Sequence, residues 1–284
     1  MPTPFTALPI RPLTRGDLMS CADLAEDRDW AREEHKWGLL LTAGTGYGID
    51  DPAGKGLAAV CVLTSYGPDL AAVGMMLVAG RHARQGLGRR LMAHVLHEAG
   101  DIPLALYATR DGRPLYQQLG FTNAGAAETV RGHFRSPESA SRVMTRAAAA
   151  DDLAALVRLD TEVFGVDRTH ILARLPAFAD RLRIAEAGSR IVGYAAAWPT
   201  RTTDVIGPLI ARDTETAKAL ISSLAKDSDR PVRLNIDVRH EELLTWLKEH
   251  GLEQDILTTV MAYGTPDLPG DWTRRFAPLS LATG

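Results

Sequence analysis

Cysteine is nearly absent from this chain: 2 residues in 284, Cys21 and Cys61. Each sits among apolar or small neighbours, so they make neither a disulfide framework nor a metal site and read as small buried hydrophobes. No apolar run approaches the ~18 residues that a membrane-crossing helix needs. An excess of one charge is missing too. The 32 basic residues against 35 acidic ones leave a net charge of −3, with the basic residues scattered rather than gathered in a stripe. Nucleic-acid binding therefore has no support in composition. Residues 1–13 hold prolines but no apolar core of signal-peptide length. The expectation is a soluble cytoplasmic protein, monomer or homodimer, with no metal, nucleic-acid or membrane partner. Hydrophobic residues make up 45% and charged residues 24% of the chain, which suits a globular core. Its length allows one large domain or two of about 140 residues each.

The chain repeats itself. A helix is expected to open at Thr14-Arg15-Gly16-Asp17-Leu18, after a strand at 9–13, and another at Ala150-Asp151-Asp152-Leu153, with the aspartates as N-caps. Val73-Gly74-Met75-Met76-Leu77-Val78 is echoed by Ile206-Gly207-Pro208-Leu209-Ile210-Ala211, the glycines 133 residues apart. Leu115–Phe121 is echoed by Trp246–Leu252, with Gly120 and Gly251 separated by 131. Landmarks in one order at nearly one offset argue for duplication. Two domains are expected, 1–138 and 139–284, with the boundary near 136–142.

In the first half, residues 46–50, 56–66 and 70–78 read as strands, the last two joined by a Gly67-Pro68 turn. Residues 86–99 form a helix with Leu87, Leu91, Val95 and Leu96 on one face. A strand at 104–109, a short helix at 114–119 and a strand from 121 complete the unit. The predicted fold is an α/β sandwich with a mixed, mostly antiparallel sheet, present twice in tandem.

The segment from Val78 to Leu91 carries the chemistry. A strand ends, a basic loop follows, and Gly86 and Gly88 stand where a helix begins. A helix N-terminus offers unpaired N–H groups, glycine lets a ligand approach them, and the arginines add positive charge. A pyrophosphate suits such a place; an ordinary glycine-rich turn is the plain alternative. Dinucleotide binding is disfavoured, since the third glycine and the acidic ribose partner are missing.

On this loop and on Ala108-Thr109-Arg110-Asp111-Gly112-Arg113-Pro114-Leu115-Tyr116-Gln117-Gln118-Leu119-Gly120-Phe121, the sequence resembles the GNAT superfamily of acyl-CoA N-acyltransferases, in its bacterial tandem form. Gly86 and Gly88 match the family's R/Q-x-x-G-x-G/A signature, while Ala83 replaces the leading Arg or Gln and Arg84 stands next to it. The resemblance implies acetyl-CoA as cosubstrate, held by Leu77, Val78, Arg84, Gln85, Gly86, Leu87, Gly88, Arg89, Arg90 and Thr109, chiefly through backbone amides from Gln85 to Arg90. It implies direct attack by an amine, a strand bulge before Val78 that helps polarise the thioester, and Tyr116 as the acid that protonates the sulfur. The lack of a long acidic or basic face favours the primary amine of a small molecule as acceptor. A packing role is the alternative for Tyr116. Relatives place a glutamate where Met75 and Met76 stand, so the base is open. Trp30, Glu34 and Trp37 lie where relatives build the acceptor pocket, beside Glu33 and His35; a solvated helix face is the alternative reading. A regulatory CoA-binding module and an acyl-CoA hydrolase remain the other classes.

The second half has little of this. Arg212-Asp213-Thr214-Glu215-Thr216-Ala217-Lys218-Ala219-Leu220 holds no glycine and is four residues shorter between its apolar anchors, and Leu247 stands where Tyr116 stands. Asp213 and Glu215 would repel a diphosphate. This copy is expected to keep the fold without the cofactor. Its resemblance to the C-terminal domain of tandem GNAT proteins, in Phe164-Gly165-Val166-Asp167-Arg168 and Ile206-Gly207-Pro208-Leu209, implies that it helps shape the acceptor pocket through Asp167, Arg168, Trp198 and Asp237. A local ion pair or helix start is the alternative for Asp167 and Arg168.

Overall fold

The structure, a computed structural model, describes residues 8–138 and 141–284. The expected boundary between 138 and 139, and the opening residues 1–7, fall at or outside the limits of what is described. The first half runs β1 (Arg11–Leu13), α1 (Leu18–Asp27), α2 (Glu34–Ala43), β2 (Thr45–Asp50), β3 (Leu57–Ser65), β4 (Ala71–Val78), α3 (Leu87–Ala99), β5 (Leu104–Ala108), α4 (Arg113–Gln118) and β6 (Thr122–Gly132). The second runs β7 (Met144–Ala147), α5 (Leu153–Phe164), α6 (Thr169–Leu172), α7 (Leu175–Phe178), β8 (Arg181–Ala187), β9 (Arg190–Pro199), β10 (Asp204–Ala211), α8 (Thr214–Ala225), β11 (Val232–Asp237), α9 (Glu241–Glu249), β12 (Leu252–Tyr263) and β13 (Arg275–Ala277). This is the mixed α/β architecture expected, with one order of elements used twice.

Helices cover both sheet faces, which is why the central strands read as unbroken apolar runs. Along β3, Ala59 and Cys61 pack toward Leu87, Leu91 and Val95 of α3. Val60 and Val62 face the other way, onto Cys21 and Leu24 of α1 and Trp37 and Leu40 of α2. Successive side chains of a strand alternate faces, so neither can be polar here. Each fully buried Leu or Val contributes about 1.5–3 kcal/mol. In the second half, Leu220 and Leu224 of α8 and Leu243 and Leu247 of α9 cover one face, and Leu159, Val163 and Phe164 of α5 cover the other.

Strand order reveals what periodicity did not. All strands join one sheet, β1-β2-β3-β4-β5-β12-β6-β11-β10-β9-β8-β7, with β13 on β10. The second half's β12 lies between β5 and β6 of the first, and β6 lies between β12 and β11 of the second. β12 is antiparallel to both β5 and β6, and β6 is antiparallel to β11. Each half therefore has a gap one strand wide, and the other half's last long strand fills it.

Candidate active site

The site begins where β4 and β5 part. They pair in parallel only from Ala71↔Leu104 to Val73↔Leu106. Beyond Val73, β4 bulges against β3, the register shifting between Val60 and Val62, opposite Gly74 to Leu77. Met75 there has φ 52°, a left-handed conformation that a long side chain adopts only under constraint. The bulge turns β4 away from β5 and opens a wedge between them. At its root the backbone of Ala282 presses on Gly74, where a Cβ would stand 2.4 Å from the Ala282 carbonyl oxygen.

From the wedge, β4 leads into the loop and α3. Arg81 and His82 do not face solvent freely: Nε of Arg81 lies 2.6 Å and Nε2 of His82 2.9 Å from Oδ2 of Asp51. Burial alone would raise the Asp51 carboxyl, but His82, the Ala53 amide and Arg81 together hold it down to about 2. This ionic clamp fixes the loop's base. Gly86, at φ 81°, caps α3 with no side chain over its first turn, so the N–H groups there stay available to an anion. Arg84, also left-handed at φ 60°, is exposed beside them. Arg89 instead donates to Oε1 of Gln118, and Arg90 to the Leu8 carbonyl. Leu77 and Leu87 point into the core. These residues meet a ligand, if at all, through their backbone.

Tyr116 arrives from α4, which follows a Thr109 hydroxyl accepting from the Gly112 amide at 3.2 Å. The Tyr116 side chain is 8% exposed, and burial pushes its hydroxyl well above the ordinary phenol range. Among the described residues no hydrogen-bond partner takes that proton. A cavity of about 310 Å³ opens there, lined by Gly74, Met75, Met76, Thr109 and Tyr116 from the wedge. Its remaining wall comes from both halves: Trp30, Glu33 and Lys36 on one side, Trp198, Arg233 and Asn235 on the other.

Two of the three residues expected in the acceptor pocket lie elsewhere. Trp37 is fully buried among Cys21, Leu24 and Leu40, because its position on α2 faces the sheet. Glu34 is exposed, accepting from Nε of Arg32 at 2.7 Å. Trp30 does line the cavity, at 39% exposure. His35 stacks on Phe178 at 4.3 Å between ring centroids and serves the contact between halves. The cavity's buried carboxylate is Glu33, one residue from the glutamate singled out. The spacing of three from Trp30 to Glu33 to Lys36 was the available signal.

The second half's candidates also divide. Trp198 lines the cavity. Arg168 is locked in the interior by Asp160, at 2.6 and 3.0 Å; Asp167 caps the Thr169 amide; and Asp237 accepts from Nε of Arg239 at 2.8 Å. The corresponding wedge is present but full. β10 and β11 pair only at Asp204↔Val232 and Val205↔Arg233, and β10 bulges between Ile206 and Leu209. Into the opening comes β13, pairing Leu209↔Ala277 and Ile210↔Arg275. A Cβ on Gly207 would meet the Pro278 carbonyl oxygen at 2.2 Å. Residues 212–213 alone join β10 to α8, against 79–86 between β4 and α3, so the loop is shorter still than its apolar anchors suggest. Asp213 caps α8 itself, accepting from the Thr216 amide at 2.8 Å and the Thr216 hydroxyl at 2.7 Å. It thus occupies one of the N–H groups that would meet a phosphate.

Comparison with known proteins agrees with this geometry. Residues 59–136 and residues 156–277 each match a family model described as an acetyltransferase (GNAT) domain. The uncharacterized N-acetyltransferase YitH of Bacillus subtilis is 27% identical over 238 residues, 83% of this chain and 83% of its own. A crystal structure from Pyrococcus horikoshii, provisionally described as an acetyltransferase, superposes with a TM-score of 0.83 at 19% identity, covering 99% of this chain and 97% of its own. A tandem GNAT protein from the clavulanic acid biosynthesis pathway gives 0.64 at 13% identity over 92% and 99%.

Proposed function

Given that this chain is a tandem two-domain member of the GNAT superfamily, an acyl-CoA N-acyltransferase, we propose that it moves an acetyl group from acetyl-CoA to the primary amine of a small molecule. The observation that carries this reading is Tyr116: a protonated phenol on a buried ring that lines the cavity, with no hydrogen-bond partner among the described residues, in the half whose wedge is open. The amine lone pair attacks the thioester carbonyl carbon, forming the N–C bond. The C–S bond breaks, and the departing thiolate takes the Tyr116 proton. The amide nitrogen releases its surplus proton to water. The diphosphate would rest on the uncapped first turn of α3 with Arg84 alongside, and the 310 Å³ cavity limits the acceptor to a small molecule.

Incubation with acetyl-CoA and a panel of amines, following free thiol, tests this reading. Thiol release that requires amine is the expected result. Release without amine would make the protein a hydrolase, and binding without release a CoA-responsive module. Tyr116→Phe keeps the ring and removes the proton. It is expected to lower kcat about 100-fold with acetyl-CoA affinity little changed; an unaltered kcat would reduce Tyr116 to a packing residue.

A further inference from the structure

Opposite the wedge, the cavity wall carries a cluster that the transfer step does not use. Glu33, with its side chain 4% exposed, bonds to Lys36 and lies 2.6 Å from Nη2 of Arg233 on β11. Burial alone would raise the Glu33 carboxyl, but Lys36 and Arg233 outweigh it and keep it ionised. Two cations thus face one anion, leaving a surplus positive charge in a partly dry site. Nε of Arg233 is buried without a hydrogen-bond partner. Two residues along the same strand, and so on the same face, Asn235 is 7% exposed. Its amide oxygen accepts from the Thr129 hydroxyl at 2.9 Å, and no described group takes its NH2 hydrogens. Asp29 and Asp255, both exposed, stand at the cavity's mouth, where water screens them.

Donors that line a cavity favour a ligand that supplies acceptors. The set here is a guanidinium, a shared ammonium and a carboxamide NH2, all donors. β11 lies three strands from β5, about 14 Å across the sheet at 4.7–4.9 Å per strand. A molecule reaching toward Arg233 therefore keeps its other end toward Tyr116.

We propose that the acceptor is a small amine bearing a carboxylate remote from its reacting nitrogen, and that Arg233, positioned by Glu33 and assisted by Asn235, binds that carboxylate. This rests on the acyl-transfer reading above and adds its substrate class. Guanidinium and carboxylate match as planar partners, and the Arg233 side chain keeps 24% of its surface exposed. Glu33 acts as a strut from the first half that aims an arginine of the second, which ties acceptor recognition to the contact between halves.

The test uses the full chain and matched pairs of amines: 6-aminohexanoate against pentylamine, and 4-aminobutyrate against propylamine. The carboxylated member is expected to show at least tenfold higher kcat/KM in each pair. Arg233→Met should erase that preference by raising acceptor KM tenfold or more, with KM for acetyl-CoA unmoved, and Arg233→Lys should restore part of it. Glu33→Gln removes the charge that aims Arg233 and should raise the KM of the carboxylated amines severalfold, leaving that of the plain amines unmoved. Equal rates within pairs, or a Glu33→Gln variant that raises the KM of pentylamine and propylamine as much, would overturn the proposal, the latter by placing the ammonium on Glu33. Calorimetry of the same amines on CoA-saturated protein reads the carboxylate without turnover. Tighter binding of the carboxylated member, lost in Arg233→Met, supports the assignment even if no amine releases thiol, a result that would defeat only the transfer reading. Equal binding within pairs defeats the assignment.

Discussion

Residues 1–138 produced alone are expected to give no cooperatively folded protein, while co-production with residues 139–284 should recover a soluble pair. Without β12, the strand β5 loses its antiparallel partner along Leu104–Ala108. β6 then stands a strand's width away with neither neighbour. It cannot slide across to replace β12, because both β5 and β6 run antiparallel to β12 and therefore parallel to one another. The antiparallel ladder would have to be rebuilt with the opposite hydrogen-bond pattern. Val260 and Met261 of β12 are buried; at about 1.5–3 kcal/mol each, their loss alone approaches the ~5–15 kcal/mol that holds a typical domain together. The bared edges invite aggregation as well. Circular dichroism with thermal melting checks this: a sharp melting transition in the isolated fragment would show that the halves fold independently after all.

Gly86→Glu should abolish acetyl-CoA binding, lowering affinity by at least 100-fold in calorimetry, and wild-type protein should bind one acetyl-CoA per chain. Nothing lies within 4 Å of a Cβ placed on Gly86, so the fold has room for the side chain. The cost to stability is the left-handed backbone, about 1–2 kcal/mol for a non-glycine residue. The cost to binding is a carboxylate set at the amides that would receive a diphosphate, where dipole and counter-charge both favour an anion from outside. Gly86→Asn separates the two effects, because asparagine tolerates this conformation and carries no charge; it should keep binding. Stoichiometry rests on the second wedge, where β13 occupies the space and Asp213 caps the helix start through the Thr216 amide. Two sites per chain, or binding that survives the glutamate, would mean that β13 yields to the ligand.

Duplication was legible because Gly74 and Gly207 answer the same need in both halves: each sits at a bulge where a backbone segment crosses too closely for a side chain. The loop after Val78 was legible because a helix start without a capping side chain is written in Gly86 itself. The strand exchange was not. β6 and β12 carry ordinary strand patterns, and alternation reports which side chains are buried, not which backbone lies alongside. Nor could β13 be read: Arg275-Phe276-Ala277 is too short for a period, and its place is set by the gap it fills. Trp37 and Glu34 fall outside the cavity lining for a related reason. In a short amphipathic helix an aromatic serves a core face as well as a pocket, and only the direction of approach to the sheet decides. Arg233 lies 200 residues from Glu33, so their pairing is tertiary.

A gene built this way resists simplification. A duplicated copy that loses its ligand is ordinarily free to decay, because deleting it leaves the working copy whole. Here a stop codon or frameshift that removes β12 strips a strand from beside β5 and takes a wall of the acceptor cavity with it. The second half can carry Leu247 and Asp213 where the first carries Tyr116 and an uncapped helix start, but it cannot be discarded. Inheritance should therefore carry a conserved ridge at β6 and β12 through lineages in which the surrounding loops drift, and natural truncations should stop short of that ridge.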